Sequence, residues 1–334
     1  MHVAVIGGGY AGMTAAVTLD ESRVPVTVFE AAQTLGGRAR RVEHRELALD
    51  NGQHILIGAY RETLRLMQLV GSDPGQHLLR IPFTWKIHER FSLRSANLPS
   101  PLNLLAGLLA AHGISFAERL SAARFVLRMR RRDYALSRDM SVAQLLDEEG
   151  QGAGISRLLW RPLCVSALNT RPEAASAQVF LNVLRDSLDA DRAASDLLLP
   201  RTDLSALFPE PAAAYVKARG GAVLTGERVT AINPGPDGYN VRSTTGERVF
   251  SHVICALPPY QVRAFLIGIS ALAEVAEAVD RLAYQPISSV YLCYPQEFRL
   301  PAPMLGFDST LLQWAFDRGT LCGQKGVVGL VISA

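Results

Sequence analysis

Six residues near the start of the chain, Gly7-Gly8-Gly9-Tyr10-Ala11-Gly12, constrain the fold more than any other feature. They follow the apolar run of residues 2–6, which reads as a buried strand, and they open an Ala-rich helical stretch from Met13 to Leu19. Pro25 to Glu30 then alternates β-branched and aromatic residues and reads as a second strand. Strand, glycine turn, helix and strand make a βαβ unit, which implies a parallel sheet. In the GxGxxG spacing Gly7 permits the tight turn, Gly9 lets the backbone approach a pyrophosphate, and Gly12 allows close helix–strand packing. The helix start, with Tyr10 and Ala11 in its first turn, offers N–H groups and a favourable dipole to phosphates. Glu30, at the end of the second strand, is placed to accept hydrogen bonds from an adenosine ribose. The alternative is a glycine-rich turn with no ligand; the flanking strands and Glu30 favour a dinucleotide site.

Composition narrows the class. Of 334 residues, 49% are hydrophobic and 19% charged, the reverse of what a disordered chain needs. Thirty-four basic residues against 31 acidic ones leave a formal charge of +3, too little to argue for nucleic acid as a partner. The four cysteines (Cys164, Cys255, Cys293, Cys322) form no CxxC pair, which fits a reducing compartment and excludes a zinc ribbon or disulfide scaffold. Residues 1–19 are apolar, but no basic residue precedes them and glycines interrupt them, unlike a signal peptide. The apolar region from Leu102 to Phe116 is shorter than the ~20 residues a spanning helix needs. A cytoplasmic protein is expected, with any membrane contact at the surface.

Helices are expected over 101–111, 115–132, 141–149, 155–161 and 176–188, punctuated by Pro99, Pro101, Pro162 and Pro172. Strand patterns return after Pro211 at Ala222–Leu224, Arg228–Asn233, Tyr239–Ser243 and Arg248–Phe250. These suggest a meander closing on Val253–Leu257, with further strands at Ser288–Tyr294, Leu311–Phe316 and Val327–Ser333.

Soon after Glu30 come Leu35-Gly36-Gly37-Arg38 and then Asp50-Asn51-Gly52-Gln53-His54. Glycines beside an arginine suit a second stretch of phosphate and ribityl chain, as the length of FAD demands. This layout resembles the flavoprotein amine oxidase superfamily, whose cofactor is FAD. One branch is closer: Asp50 to Tyr60 is similar to the same segment of the squalene-associated FAD-dependent desaturases, or hydroxysqualene dehydroxylases. So are Trp160 to Cys164 with Ala167 to Thr170, Val183 to Asp186, Ser195 to Arg201, and Gln313 to Arg318.

The resemblance implies a Rossmann-type FAD-binding domain (1–80 and 200–258) interleaved with an α+β substrate domain (81–199 and 259–334). It adds Gly52 and Val229 to the cofactor-binding residues. It also implies reductive removal of the hydroxyl of hydroxysqualene to give squalene, in hopanoid precursor supply. Relatives continue past the strand at 327–334 into a Gly-Asp segment and a closing helix. By that comparison the sequence is truncated at its C-terminus, which predicts loosely held FAD. Two other readings remain: a desaturase of a carotenoid-type isoprenoid on the same scaffold, and a non-catalytic lipid-binding remnant.

For the chemistry, His54 is the candidate acid and Gln53 a candidate for orienting the flavin ring, both because the resemblance runs their segment beside it. Trp160, Arg161, Cys164, Asn169 and Thr170 line or brace the substrate domain. Cys164 has no nearby His or Lys to activate it, so packing is the expected role. Asp186, Asp189, Asp191 and Asp196 suit helix ends and turns, and no metal is expected. Tyr284, Tyr291, Tyr294, Trp314 and Phe316 either line a hydrocarbon tunnel or fill a core, with Trp314 taken toward substrate. The stretch Leu102–Met129, ending in Arg128, Arg130, Arg131 and Arg132, reads as an interfacial helix pair. Its expected partners are a membrane surface and an isoprenoid lipid, with neighbouring squalene-pathway enzymes as possible company.

Overall fold

The computed structural model describes residues 1–188, 191–266 and 269–333. The protein divides into two compact units: residues 1–51, 62–77 and 202–284, and residues 52–61, 78–201 and 285–334. Two boundaries differ from those expected. Residues 52–61 go with the second unit because the strand Leu56–Ile57 pairs with Leu197–Pro200. Residues 259–284 go with the first, where Phe265 packs on the cluster of Ala4, Ile6 and Phe29.

In the first unit, β1 (Val3–Ile6) and β2 (Val26–Glu30) run parallel, Val3 opposite Val26 and Ile6 opposite Phe29, joined by α1 (Tyr10–Glu21). Ala222–Thr225 adds in parallel beside β2, and His252–Cys255 beside β1. All four residues of β1 are buried, so the strand has no polar face and shows no alternation. The expected meander is thus smaller than its sequence suggests. Only Val229–Gly235, Gly238–Ser243 and Gly246–Phe250 form it; Ala222–Thr225 and His252–Cys255 belong to the parallel sheet.

In the second unit a six-stranded sheet runs in the order Ser288–Cys293, Val327–Ile332, Trp314–Asp317, Met304–Gly306, Thr84–Ile87, Phe91–Arg94. The last two strands precede the first expected helix, in a span where no strand was expected. Their buried positions, Trp85, Ile87, Phe91 and Leu93, alternate with polar ones as a half-buried hairpin requires. A second correction concerns the expected helix 155–161. A π-helical turn over Ser156–Trp160 leads directly into Arg161–Leu168, because Pro162 sits in a first turn that needs no N–H from it. Asn169 ends the run in the left-handed conformation, φ 46°.

The core of this unit joins the sheet to the helices. Trp85 meets Trp314 edge to face at 4.6 Å, and Phe125 meets Trp160 at 5.2 Å. The stretch 102–132 contributes to it more than expected of an interfacial pair. The helix Phe116–Arg131, opened by a Ser115–Glu118 capping box, buries Ala122, Ala123, Phe125, Val126 and Met129. Arg128 and Arg132 both pair with Glu149, at 2.7 and 2.9 Å. The large apolar residues that stay exposed are Leu102, Leu109, Phe116 and Leu127. Among the described residues no helix is long and apolar enough to cross a membrane.

Candidate functional site

The first unit builds a cradle around the N-terminus of α1. Gly7 leaves β1 at φ +110°, a conformation other residues rarely adopt, and a Cβ at Gly12 would collide with the Gly7 carbonyl oxygen. Both glycines are therefore demanded by the protein itself. Gly9 is different. Its backbone angles are ordinary (φ −76°, ψ −177°), and a Cβ there would meet nothing nearer than Gly37 Cα at 3.7 Å. Nothing in the protein requires glycine at that point, so its usefulness lies with what approaches from outside.

The start of α1 has no side-chain cap and no acidic residue in its first turn, and Ala11 is exposed there. Its N–H groups and the positive end of its dipole suit a phosphate. Glu30 accepts from the Gly8 N–H and the Ala32 N–H, each at 2.7 Å. A carboxylate with one bond per oxygen keeps lone pairs for ribose hydroxyls. The second glycine turn lies alongside the first, the Gly36 N–H donating to the Gly8 carbonyl at 3.0 Å. Arg38 beside it is exposed, and its guanidinium has no partner among the described residues.

Behind the cradle stands a brace that sequence reasoning missed, the turn around Leu204. Tyr10 donates its hydroxyl to the Leu204 carbonyl at 2.7 Å, and buried Asp50 accepts from the Leu204 N–H at 2.8 Å. Burial, followed by the Asp50 and Asp203 carboxylates, pushes the Tyr10 phenol above its ordinary value, so it remains a neutral donor. Ser205 donates to the Leu35 carbonyl at 2.6 Å, and Arg41 pairs with Asp203 and Glu210. The sequence hinted at this turn only through Asp203, which caps the short helix Leu204–Leu207. The Tyr10 hydroxyl proton is therefore engaged within the first unit. The Val229 side chain is buried among Ala4, Ile6, Phe29, Val241 and Phe250.

The second unit carries the rest of the expected residues. Gly52 turns at φ +103°, which leaves Gln53 half-buried and His54 exposed. His54 Nδ1 lies 2.7 Å from the Gly52 carbonyl, so that nitrogen is the donor and Nε2 is left for proton exchange. Gln53 accepts from Arg318 at 3.0 Å.

Trp160 is buried with its N–H on Gln151 Oε1 at 2.9 Å, and Trp314 is buried with its N–H on Ser166 Oγ at 2.8 Å. Asn169 donates to the Gln285 carbonyl at 3.0 Å. These three brace the unit through bonds within it. Arg161 pairs with Glu173. Of the five aromatic residues of the expected tunnel, Trp314 and Phe316 are core, Tyr291 is partly buried, and Tyr284 and Tyr294 are nearly half exposed. Asp191 caps a turn at Ala194 and Asp196 pairs with Arg80, whereas Asp189 lies outside the described residues.

Burial, aided by the Glu173 carboxylate and opposed by Arg161, pushes the Cys164 thiol up to about 12. Cys293 is exposed. N-ethylmaleimide at neutral pH should therefore label Cys293 in the folded protein and reach Cys164 only after unfolding. Labelling of native Cys164 at the rate of Cys293 would show an open, activated thiol instead.

Such a cradle on a parallel βαβ unit suits a dinucleotide cofactor, and with the family match that follows the protein is a flavin-dependent oxidoreductase. The family model for flavin containing amine oxidoreductases matches residues 10–327, and the chain belongs to that family. Its cofactor is FAD, and the cradle just described fits that group.

The chain is 28% identical over 330 residues to a hydroxysqualene dehydroxylase of Rhodopseudomonas palustris, covering 94% of this chain and 73% of that protein. It is 35% identical over 74 residues to a zeta-carotene desaturase of Capsicum annuum, covering 22% of this chain and 13% of that one. Among solved structures it matches an oxidoreductase from Methanosarcina mazei with a TM-score of 0.76 at 14% identity, covering 100% of this chain and 79% of that one. Putrescine oxidase bound to putrescine matches with a TM-score of 0.66 at 15% identity, covering 99% and 75%. These two matches speak to the fold alone.

Proposed function

We propose that the protein reductively removes the hydroxyl group of hydroxysqualene to give squalene. The observation that carries this reading is the extent of the likeness. It covers 94% of the chain for the dehydroxylase, but only 22% for the carotene desaturase.

An allylic alcohol loses its hydroxyl most easily as water, leaving a delocalised cation. Bound FAD, when reduced, supplies the hydride that completes the balance: alcohol, proton and hydride give hydrocarbon and water. The protein's tasks are to hold the cofactor, exclude water and deliver the proton. Gly9, the first turn of α1 and Glu30 hold the pyrophosphate and ribose, with Gly36, Gly37 and Arg38 on the next stretch. His54 is the proton donor of this scheme. With Nδ1 committed to Gly52, a doubly protonated ring releases its proton from Nε2 toward the departing oxygen. The protein with reduced FAD, offered hydroxysqualene without oxygen, should yield squalene. With oxidised FAD it should leave zeta-carotene unchanged, and desaturation of zeta-carotene would favour the second reading.

A C30 hydrocarbon alcohol is nearly insoluble, so a lipid surface is the proposed source. Exposed Leu102, Leu109 and Phe116 would enter it. Each arginine near an anionic surface is worth about 1 kcal/mol, and Arg128 and Arg132 already pair with Glu149. Sedimentation with anionic vesicles should fall several-fold in Leu109→Ser/Phe116→Ser and weaken with salt. Equal sedimentation of variant and wild type would remove lipid contact from the scheme.

A further inference from the structure

Arg318 opens the short helix Arg318–Cys322 and is only 1% exposed. Its Nε donates to Gln324 Oε1, an Nη donates to Gln53 Oε1 at 3.0 Å, and its guanidinium lies 5.5 Å from the centre of the Tyr291 ring. Gly329 on the adjoining strand leaves room for the arrangement. A Cβ there would stand 3.2 Å from the Tyr291 ring and 3.5 Å from Gln53 Oε1.

A guanidinium has only donors. It therefore decides which end of the Gln53 amide faces it, namely the oxygen, and turns the NH2 group away. That NH2 group has no partner among the described residues, and Gln53 is only half-buried. The neighbouring His54 is tied to Gly52 and does not compete for it.

We propose that Arg318 is a positioning residue that locks Gln53 as an obligate donor, presenting Nε2–H to an uncharged acceptor. The acceptor is a carbonyl or ring nitrogen of the flavin, or the hydroxyl oxygen of the substrate. Only the substrate option rests on the proposed reaction. A lysine would not replace Arg318, because a single ammonium cannot bond Gln53 and Gln324 with the same planar fork.

The test uses the 334-residue protein labelled with 15N-glutamine, the Gln53 side-chain signals being assigned by their loss in Gln53→Met. The Gln53 amide should show the heteronuclear NOE of an ordered group and become mobile in Arg318→Met. Arg318→Met removes a buried charge and risks unfolding, so Gln53→Glu is the second variant. Its carboxylate keeps the bond to Arg318 but has no N–H to give. With FAD bound, Gln53→Glu should shift the visible flavin spectrum if the acceptor is on the ring. If the acceptor is the substrate hydroxyl, the spectrum should stay and kcat/KM for hydroxysqualene should fall about 10- to 100-fold.

A mobile amide in the wild type overturns the proposal. So does a Gln53→Glu protein that matches wild type in both spectrum and turnover. If the wild type converts no hydroxysqualene but the amide is ordered and the spectrum shifts, the reaction fails and the positioning role stands. No conversion together with an unshifted spectrum rejects both.

Discussion

Gly12→Val should leave no folded first unit, whereas Gly9→Val should give a folded protein that carries no flavin. At Gly12 the added Cβ meets the Gly7 carbonyl oxygen, with the Ala256 side chain behind it at 3.3 Å, so neither α1 nor β1 has room to shift. A clash between two buried backbones belongs with the largest single-residue effects, beyond about 4 kcal/mol. That is a large share of the ~5–15 kcal/mol that holds a typical protein folded. At Gly9 the Cβ site is open and the backbone is already in a region any residue adopts. The valine methyl groups then fill the space in front of the helix start, where a phosphate would sit. Thermal melting by circular dichroism and flavin absorbance after gel filtration separate the two outcomes. Wild-type flavin content in Gly9→Val would move the cofactor away from the cradle.

The second large effect is expected at His54. On the proposed role, His54→Gln should lower kcat about 10²- to 10⁴-fold, the usual contribution of a general acid. Flavin content and melting temperature should stay as in wild type, because the ring is exposed and its hydrogen bond is to the carbonyl two residues before it. A loss smaller than about fivefold would place the proton donor elsewhere.

The nucleotide-binding half was legible because its signals are local. A strand, a glycine turn, a helix and a carboxylate follow one another within the first 30 residues, and each is constrained by its immediate neighbours. The parts that sequence reasoning missed depend on distant residues. Leu204 and Ser205 stitch the cradle to Tyr10, Leu35 and Asp50 across more than 150 positions, and no spacing in the sequence records that. Arg318 was visible only as the end of the Gln313–Arg318 segment. Its bond to Gln53 spans 265 positions. The hairpin at 84–94 is a different kind of miss. Trp85, Ile87, Phe91 and Leu93 alternate with polar residues as a strand pair should, but each strand is four residues long and helices follow at once. Short period-two signals are easily overrun by a longer helical pattern beside them.

The indole N–H groups of Trp160 and Trp314 show what residue type alone does not record. Both look available for substrate in the sequence, and both are consumed by Gln151 and Ser166 inside the second unit. His54 and Gln53, by contrast, each keep one functional atom outside the hydrogen bonds among the described residues.

The most direct test of the account is a single anaerobic turnover. The purified protein, loaded with FAD and reduced stoichiometrically with dithionite, is mixed with hydroxysqualene, and the flavin absorbance is followed while the lipid is extracted. One squalene should form for each flavin reoxidised, and none should form when the flavin starts oxidised. Flavin that stays reduced over recovered, unreacted hydroxysqualene would contradict the proposed function.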